Sequence, residues 1–238
     1  MHFGAGCPNL FVPDRFTLAP GCDAAAGFDA LADQVADWSA GRAIHLIGFS
    51  MGCFAALQLA HRLTDRVGQI DLVSAAAPLE GGDFLPEMAG GSLFKLARDH
   101  YRLFGWLVGV QRLMARFAPR LLFALLFGRA QGGDRALIED QHFRHAVRAM
   151  LRTCFAGGSA GYTREIRAYV RPWAPILGEI SAPVRLWHGS ADNWAPLAMA
   201  HYLESTLPNV TGLEVVAGAS HYSALRQAMA RIWSTAQG

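Results

Sequence analysis

The segment that most constrains this chain is a five-residue turn, Gly48 to Gly52, which fits the pattern G-x-S-x-G with Ser50 at its centre. The stretch before it, 43–47, is short, apolar and partly β-branched, which is typical of a buried strand. The stretch after it, 53–60, predicts a buried helix. A serine on a sharp strand-to-helix turn projects its Oγ above the sheet, where it can act as a nucleophile.

Both glycines of the turn are predicted to be structural. We expect that a Cβ at Gly48 or Gly52 would collide as the strand and the helix pack closely. The alternative is an ordinary glycine-rich turn with an incidental serine, because the pattern is short. The rest of the chain decides between these readings.

Predicted strands and helices alternate along most of the chain. Further strands are predicted at 15–19, 70–74, 184–187 and 213–216, and further helices at 28–38, 197–207 and 223–235. This alternation predicts an α/β fold with a mostly parallel sheet and helices on both faces. A length of 238 residues suits one domain with an inserted subdomain.

The alternation stops between Pro78 and Trp173, where the sequence is helical and apolar. Arginines interrupt its apolar runs, so none approaches the roughly 18 residues of a membrane span. The apolar side chains form a helix-bundle core, line an apolar pocket or lie on a lipid surface, and these readings are compatible. We expect residues 79–172 to form a helical cap inserted into a core made of residues 1–78 and 173–238.

Composition excludes several classes of protein. The chain is 52% hydrophobic and 17% charged, which indicates a globular protein, and its net charge of +2 gives no case for nucleic-acid binding. No signal peptide is visible, so we expect a cytoplasmic protein.

The four cysteines match no zinc pattern. Cys53 is predicted to be a small core residue. Cys7 and Cys22 both lie in predicted loops, so a disulfide between them stays an alternative to the reduced chain that we expect.

Two further residues suit a catalytic role with Ser50. His221 follows the last predicted strand, and Asp192 lies in a loop between a predicted strand and a helix. Parallel strands place their carboxyl ends at one edge of the sheet, where open α/β sheets carry their sites. An activated serine needs a base, and the base needs an orienting acid.

Each of these residues also has a structural reading. Asp192 can serve as a turn or cap residue before the next helix, and His221 can be a loop histidine. The other histidines fit a catalytic role less well by position: His45 lies in a strand, His61 ends a helix, His188 adjoins the acid loop, and His142 and His145 fall in the cap.

The turn around Ser50, the segment 188–192 and the segment 218–221 together resemble the α/β-hydrolase superfamily, in particular its capped esterases, peptidases and C–C hydrolases. The resemblance covers nearly the whole chain after about residue 15. It implies Ser50 as nucleophile, His221 as general base and then acid, and Asp192 as the group that holds the imidazole. It also implies an oxyanion hole that uses the backbone N–H of Met51.

The second oxyanion donor is where the chain departs from this family. Family members carry a His-Gly segment at the end of a central strand, and here the similar segment, 2–6, begins almost at the first residue. We therefore expect the N-terminal strands to be missing or shortened. Phe3 or Gly4 is the candidate second donor.

The expected reaction is hydrolysis of a carboxylic ester of an apolar acyl or aromatic group, a small-molecule substrate, through an acyl-enzyme. It requires no metal and no cofactor. Other chemistries of this superfamily stay open: thioester hydrolysis, acyl transfer, iminopeptide cleavage and C–C cleavage. A non-catalytic receptor that keeps the triad, or an interaction protein with a vestigial site, is a further alternative. The oligomeric state is also open, with a homodimer as one option.

Overall fold

The computed structural model of the protein describes residues 10–16, 23–155 and 158–236. Within them, one sheet contains four parallel strands in the order β1-β2-β3-β4. These are β1 (Ile44–Phe49), β2 (Val67–Val73), β3 (Val184–Gly189) and β4 (Val210–Val216). Because the strands are parallel, the segments that follow their carboxyl ends all emerge at one edge, and the predicted parallel sheet is confirmed.

Helices cover the sheet and fill the long connection between β2 and β3. In chain order they are α1 (Ala24–Ser39), α2 (Met51–Leu63), α3 (Gly91–Asp99), α4 (Tyr101–Phe117), α5 (Pro119–Phe127), α6 (Asp134–Leu137), α7 (Gln141–Cys154), α8 (Ala160–Tyr169), α9 (Leu197–Thr206) and α10 (His221–Ala236). We call α3 to α8 the helical insertion. None of the helices described here is both long and apolar enough to cross a bilayer.

The period-two alternation of the strands explains how the two faces are covered. One set of strand residues packs in the main core with α1, α2 and α9: Leu46, Leu72 and Leu186. The neighbouring residues point to the other face and pack against α10: Ile47, Val73 and Trp187. Burial on both faces is why these neighbouring residues of β1, β2 and β3 are all apolar.

The sequence predicts the four strands and the four helices outside the helical insertion to within a few residues. Phe28 and Leu31 lie on the buried face of α1, as their helical spacing predicts. Cys53 is fully buried in α2 and is confirmed as a small core residue.

The predicted strand at 15–19 is wrong at its start. Arg15 and Phe16 form a bend, because the Phe16 N–H donates to Asp14 Oδ1 at 2.9 Å and closes a local turn. The rest of that strand lies outside the described residues. So do Cys7, Cys22 and the segment that contains Phe3 and Gly4.

The two glycines of the turn differ in what they do. A Cβ at Gly48 would lie 2.7 Å from Cys53 Cα, so β1 and α2 meet there at a distance that only glycine allows. A Cβ at Gly52 would approach nothing closer than Arg15 Nη1, at 3.9 Å. The structural prediction is therefore confirmed for Gly48 and wrong for Gly52, because Gly52 faces open space beside the sheet edge.

We expect Gly48→Ala to lower the free energy of unfolding by about 1–3 kcal/mol, because α2 must move away from β1. Gly52→Ala is the matched control, and a helical alanine there should leave stability unchanged or raise it by up to about 1 kcal/mol. Urea unfolding of both variants measures the difference. Equal stability of the two variants would contradict the close approach at Gly48.

Candidate active site

Ser50 lies at the junction of β1 and α2 with a backbone conformation that is rare for a side-chain-bearing residue, φ 56° and ψ −127°. Its N–H donates to Val73 O at 3.0 Å, and its carbonyl accepts from Cys53 N at 3.0 Å and Ala76 N at 3.3 Å. Such a conformation costs on the order of 1–3 kcal/mol and persists only where neighbours fix it, typically at functional sites. The contacts on both sides of Ser50 therefore hold a strained turn at the sheet edge.

Asp192 follows the end of β3, and its buried carboxylate is fully engaged. Oδ1 accepts from the N–H groups of Trp194 at 2.9 Å and Ala195 at 3.0 Å, and Oδ2 lies 2.8 Å from His221 Nδ1. Burial alone would raise the pKa of Asp192, but the charge and hydrogen bond of His221 outweigh it, so the pKa lies below its ordinary value. Asp192 is therefore a carboxylate at neutral pH.

His221 is the first residue of α10, and its ring is held on several sides. Since Asp192 is ionised, Nδ1 donates to it, and in the neutral form of the ring Nε2 is then an acceptor. The ring centroid lies 4.7 Å from that of Phe49, and Trp194 stacks on it at 5.9 Å with an interplanar angle of 24°. Packing and the carboxylate together fix both the tautomer and the orientation of the imidazole.

The helical insertion also positions His221. The buried carboxylate of Asp134, in α6, accepts from the N–H groups of Tyr222 at 3.1 Å and Ser223 at 2.7 Å. It therefore caps the first turn of α10, which begins at His221, although it lies far away in sequence. Sequence analysis missed Asp134 because a distant cap leaves no local pattern.

An open cavity of about 340 Å³ lies at this edge of the sheet. Ser50, Met51 and His221 all line it, so the structure brings these predicted residues together, with Asp192 hydrogen-bonded behind His221. Most of the remaining wall is apolar, and the helical insertion contributes part of it, for example Phe94 and Leu126. We call this space the Ser50 cavity.

Met51 begins α2, so its N–H belongs to the first turn, where backbone N–H groups lack helical partners. Whether this N–H serves as the oxyanion donor stays a prediction. In the part of the chain that the structure describes, no cluster of three or more His, Cys, Asp or Glu side chains suits a metal ion.

Comparison with known proteins gives the family. The sequence pattern of the alpha/beta hydrolase family matches residues 3–233. The chain belongs to the alpha/beta hydrolase family. Among the curated proteins no sequence match is found.

Solved structures of this family share the fold. A thermophilic esterase from Thermogutta terrifontis superposes with a TM-score of 0.63 at 16% identity, covering 91% of this chain and 72% of the esterase. An alpha/beta hydrolase from a Medee basin deep-sea metagenome library gives 0.62 at 11% identity, covering 95% and 74%. A bromoperoxidase from Bacillus anthracis gives 0.60 at 19% identity, covering 90% and 72%. At these identities the likeness shows the alpha/beta hydrolase fold and nothing finer.

One wall of the Ser50 cavity carries a charge pair that the sequence did not signal. Arg15 Nη1 lies 3.0 Å from Glu165 Oε1 of α8, and both residues line the cavity. Burial raises the pKa of Glu165, and the charges of Arg15 and Arg164 oppose that rise. This alpha/beta hydrolase therefore has an ion pair in a mostly apolar cavity wall.

A second histidine lies close to the same carboxylate. His188 Nε2 is 2.8 Å from Ala195 O, to which it donates, and 3.8 Å from Asp192 Oδ2. Burial lowers the pKa of His188, so its ring is held neutral. Its Nδ1 is buried and has no hydrogen-bond partner among the described residues.

His45 forms another histidine–carboxylate pair, with Asp71 at 2.6 Å. Asp71 also accepts from Trp187 Nε1 at 2.6 Å, on the face of the sheet that α10 covers. Neither His45 nor His188 lines the Ser50 cavity as the structure describes it, which agrees with their low rank in the sequence analysis.

We expect His188 to make stability depend on pH. The unfolded chain protonates this residue near its ordinary pKa of 6.5, whereas the folded protein keeps it neutral. The unfolded state then binds more protons, so the free energy of unfolding falls as the pH drops below about 6.5. His188→Gln should remove this contribution, so its stability should fall less than that of the wild type between about pH 7.5 and about pH 5.5. Urea unfolding across this range tests it, and parallel curves for wild type and variant would contradict it.

Proposed function

We propose that this protein is a serine hydrolase that cleaves carboxylic esters of apolar acyl or aromatic groups. The observation that carries the proposal is the 2.8 Å contact between His221 Nδ1 and Asp192 Oδ2, with His221 lining the same cavity as the strained Ser50. A base oriented by a buried carboxylate, in the same cavity as a serine, is the arrangement that activates a hydroxyl for attack.

In the acylation step, Ser50 Oγ attacks the ester carbonyl while His221 Nε2 takes its proton. Asp192 stabilises the imidazolium that forms and stays ionised itself. The proton then passes from His221 to the leaving alcohol as the C–O bond breaks, which leaves Ser50 acylated. The low pKa of Asp192 supports this role, because the acid must carry its negative charge before the imidazole becomes positive.

Water completes the cycle. His221 removes a proton from a water molecule as that water attacks the acyl-enzyme, and returns the proton to Ser50 Oγ. Each tetrahedral intermediate carries an oxyanion, which the N–H of Met51 stabilises; one such donor is worth about 3–4 kcal/mol. Phe3 or Gly4 remains the proposed second donor.

The walls of the Ser50 cavity support an apolar substrate. Phe94, Leu125 and Leu126 of the helical insertion line the cavity together with Ser50 and Trp194 of the core. A volume of about 340 Å³ lies at the lower end of the usual range for small-molecule sites. We therefore propose residues 79–172 as a cap that shapes the acyl or aromatic subsite over the core formed by 1–78 and 173–238.

Turnover of p-nitrophenyl esters tests the serine. We expect wild-type protein to hydrolyse them with an optimum at short to medium acyl chains, because the cavity is small. Ser50→Ala should lower kcat by a factor on the order of 10⁴ or more. Ser234→Ala is the matched control, since Ser234 is exposed on α10, and it should keep wild-type activity. A folded wild type without turnover, or an active Ser50→Ala variant, would contradict the esterase proposal.

The two histidines beside Asp192 separate the catalytic base from a structural neighbour. We expect His221→Gln to lower kcat by a factor on the order of 10⁴ and Asp192→Asn by a similar factor, since the imidazole loses its tautomer and its counter-charge. His188→Gln should retain most of the activity, because His188 does not line the cavity. The reverse ranking of His221 and His188 in steady-state assays would show that His221 is not the base.

A further inference from the structure

Helices α4 and α5 present a continuous row of exposed apolar side chains. We call this row the apolar stripe; it comprises Leu103, Trp106, Leu113, Phe117, Leu121 and Leu125. Phe117 is 71% exposed and Trp106 68%, which is unusual for side chains that gain so much from burial. Most steps along the row are three or four residues, so α4 carries it along one side.

The apolar stripe is not the core-facing side of these helices. Phe104, Val108 and Ala115 of α4 and Leu122 of α5 are buried and belong to the main core cluster. A helix that packs one side inward ordinarily exposes polar side chains on the other. α4 is therefore apolar on two sides, and no residue that the structure describes covers the outer one.

Positive charge surrounds the apolar stripe. From Tyr101 to Gly133 the sequence contains five arginines and no aspartate or glutamate. They are all exposed and lie on or next to α4 and α5: Arg102, Arg112, Arg116, Arg120 and Arg129. The surroundings thus have a strong positive charge in a protein whose net charge is only +2.

Three arginines also meet at one point beside the apolar stripe. Arg112 and Arg116 of α4 and Arg152 of α7 line an open cleft of about 250 Å³, together with Ala115 and Phe155. None of the three forms an ion pair with any other residue that the structure describes. Convergent guanidinium groups without acidic partners are suited to an anion, above all a phosphate.

We propose that this face docks the protein peripherally on a bilayer surface that contains anionic phospholipids. The apolar stripe enters the boundary between headgroups and acyl chains, and the arginines bind headgroup phosphates. The charge favours lipid over a second copy of this chain. If two copies met through this face, the five arginines of one would lie against the same five of the other, and the like charges would repel. Leu125 belongs both to the apolar stripe and to the wall of the Ser50 cavity, so the docked face adjoins that cavity.

Vesicle sedimentation tests the docking without any measurement of activity. Full-length protein is mixed with vesicles of phosphatidylcholine alone and with vesicles that also contain phosphatidylglycerol. We expect binding to the anionic vesicles that weakens in high salt and weak binding to the neutral ones. No binding by the folded wild type, or equal binding to both kinds of vesicle, would overturn the proposal.

Paired variants separate the two parts of the surface. Trp106→Ser with Phe117→Ser, and Arg112→Gln with Arg116→Gln, should each weaken partitioning about tenfold or more. The matched control carries Val215→Ser and Arg226→Gln, which lie on β4 and α10, and should bind as the wild type does. Equal binding by all variants would show that neither the apolar stripe nor these arginines contact the membrane, and would overturn the proposal.

Light scattering of the same proteins without lipid tests whether a second copy of the chain binds the apolar stripe instead. We expect no dimer that depends on Trp106 and Phe117. A dimer that these substitutions abolish, together with a lack of vesicle binding, would assign the face to a second copy of the chain instead.

Discussion

The buried carboxylate of Asp192 is the interaction on which the rest of the site depends. A charge removed from water must be compensated, and here two backbone N–H groups and the imidazole of His221 do so. The loop that follows β3 carries Asp192, and the loop that follows β4 leads to His221. The two loops must meet at the same edge of the sheet for the imidazole to reach the carboxylate. A Cβ at Gly189 would lie 2.5 Å from Ala219 O, which shows how closely the two loops approach.

The helical insertion positions the start of α10 and also lines the Ser50 cavity. Asp134 caps the first turn of α10 and so fixes the helix that starts with His221. Tyr222, the next residue, packs its ring against Phe127 and Phe143 of the same insertion. Movement of the insertion over the sheet would therefore shift the imidazole as well as change the cavity.

Sequence predicts what depends on local pattern and chain order. Apolar runs located the parallel strands, and the turn around Ser50 together with the loops of Asp192 and His221 follows from strand ends meeting at one edge. Sequence does not predict contacts between segments that are far apart in the chain. The cap from Asp134 and the Arg15–Glu165 ion pair are two such contacts, and neither produces a local sequence pattern. The prediction that a Cβ at Gly52 would collide is wrong, because the sequence pattern does not show in which direction that Cβ would point.

The most direct test of this account is covalent labelling of the whole protein with a fluorophosphonate, followed by mass spectrometry of its peptides. We expect one adduct per chain, on Ser50, because in the proposed mechanism this serine is the one with an activated Oγ beside an oxyanion donor. Labelling should disappear in His221→Gln and persist in His188→Gln. Labelling at another residue, or none in a folded protein, would contradict the claim that Ser50, His221 and Asp192 act as one catalytic unit.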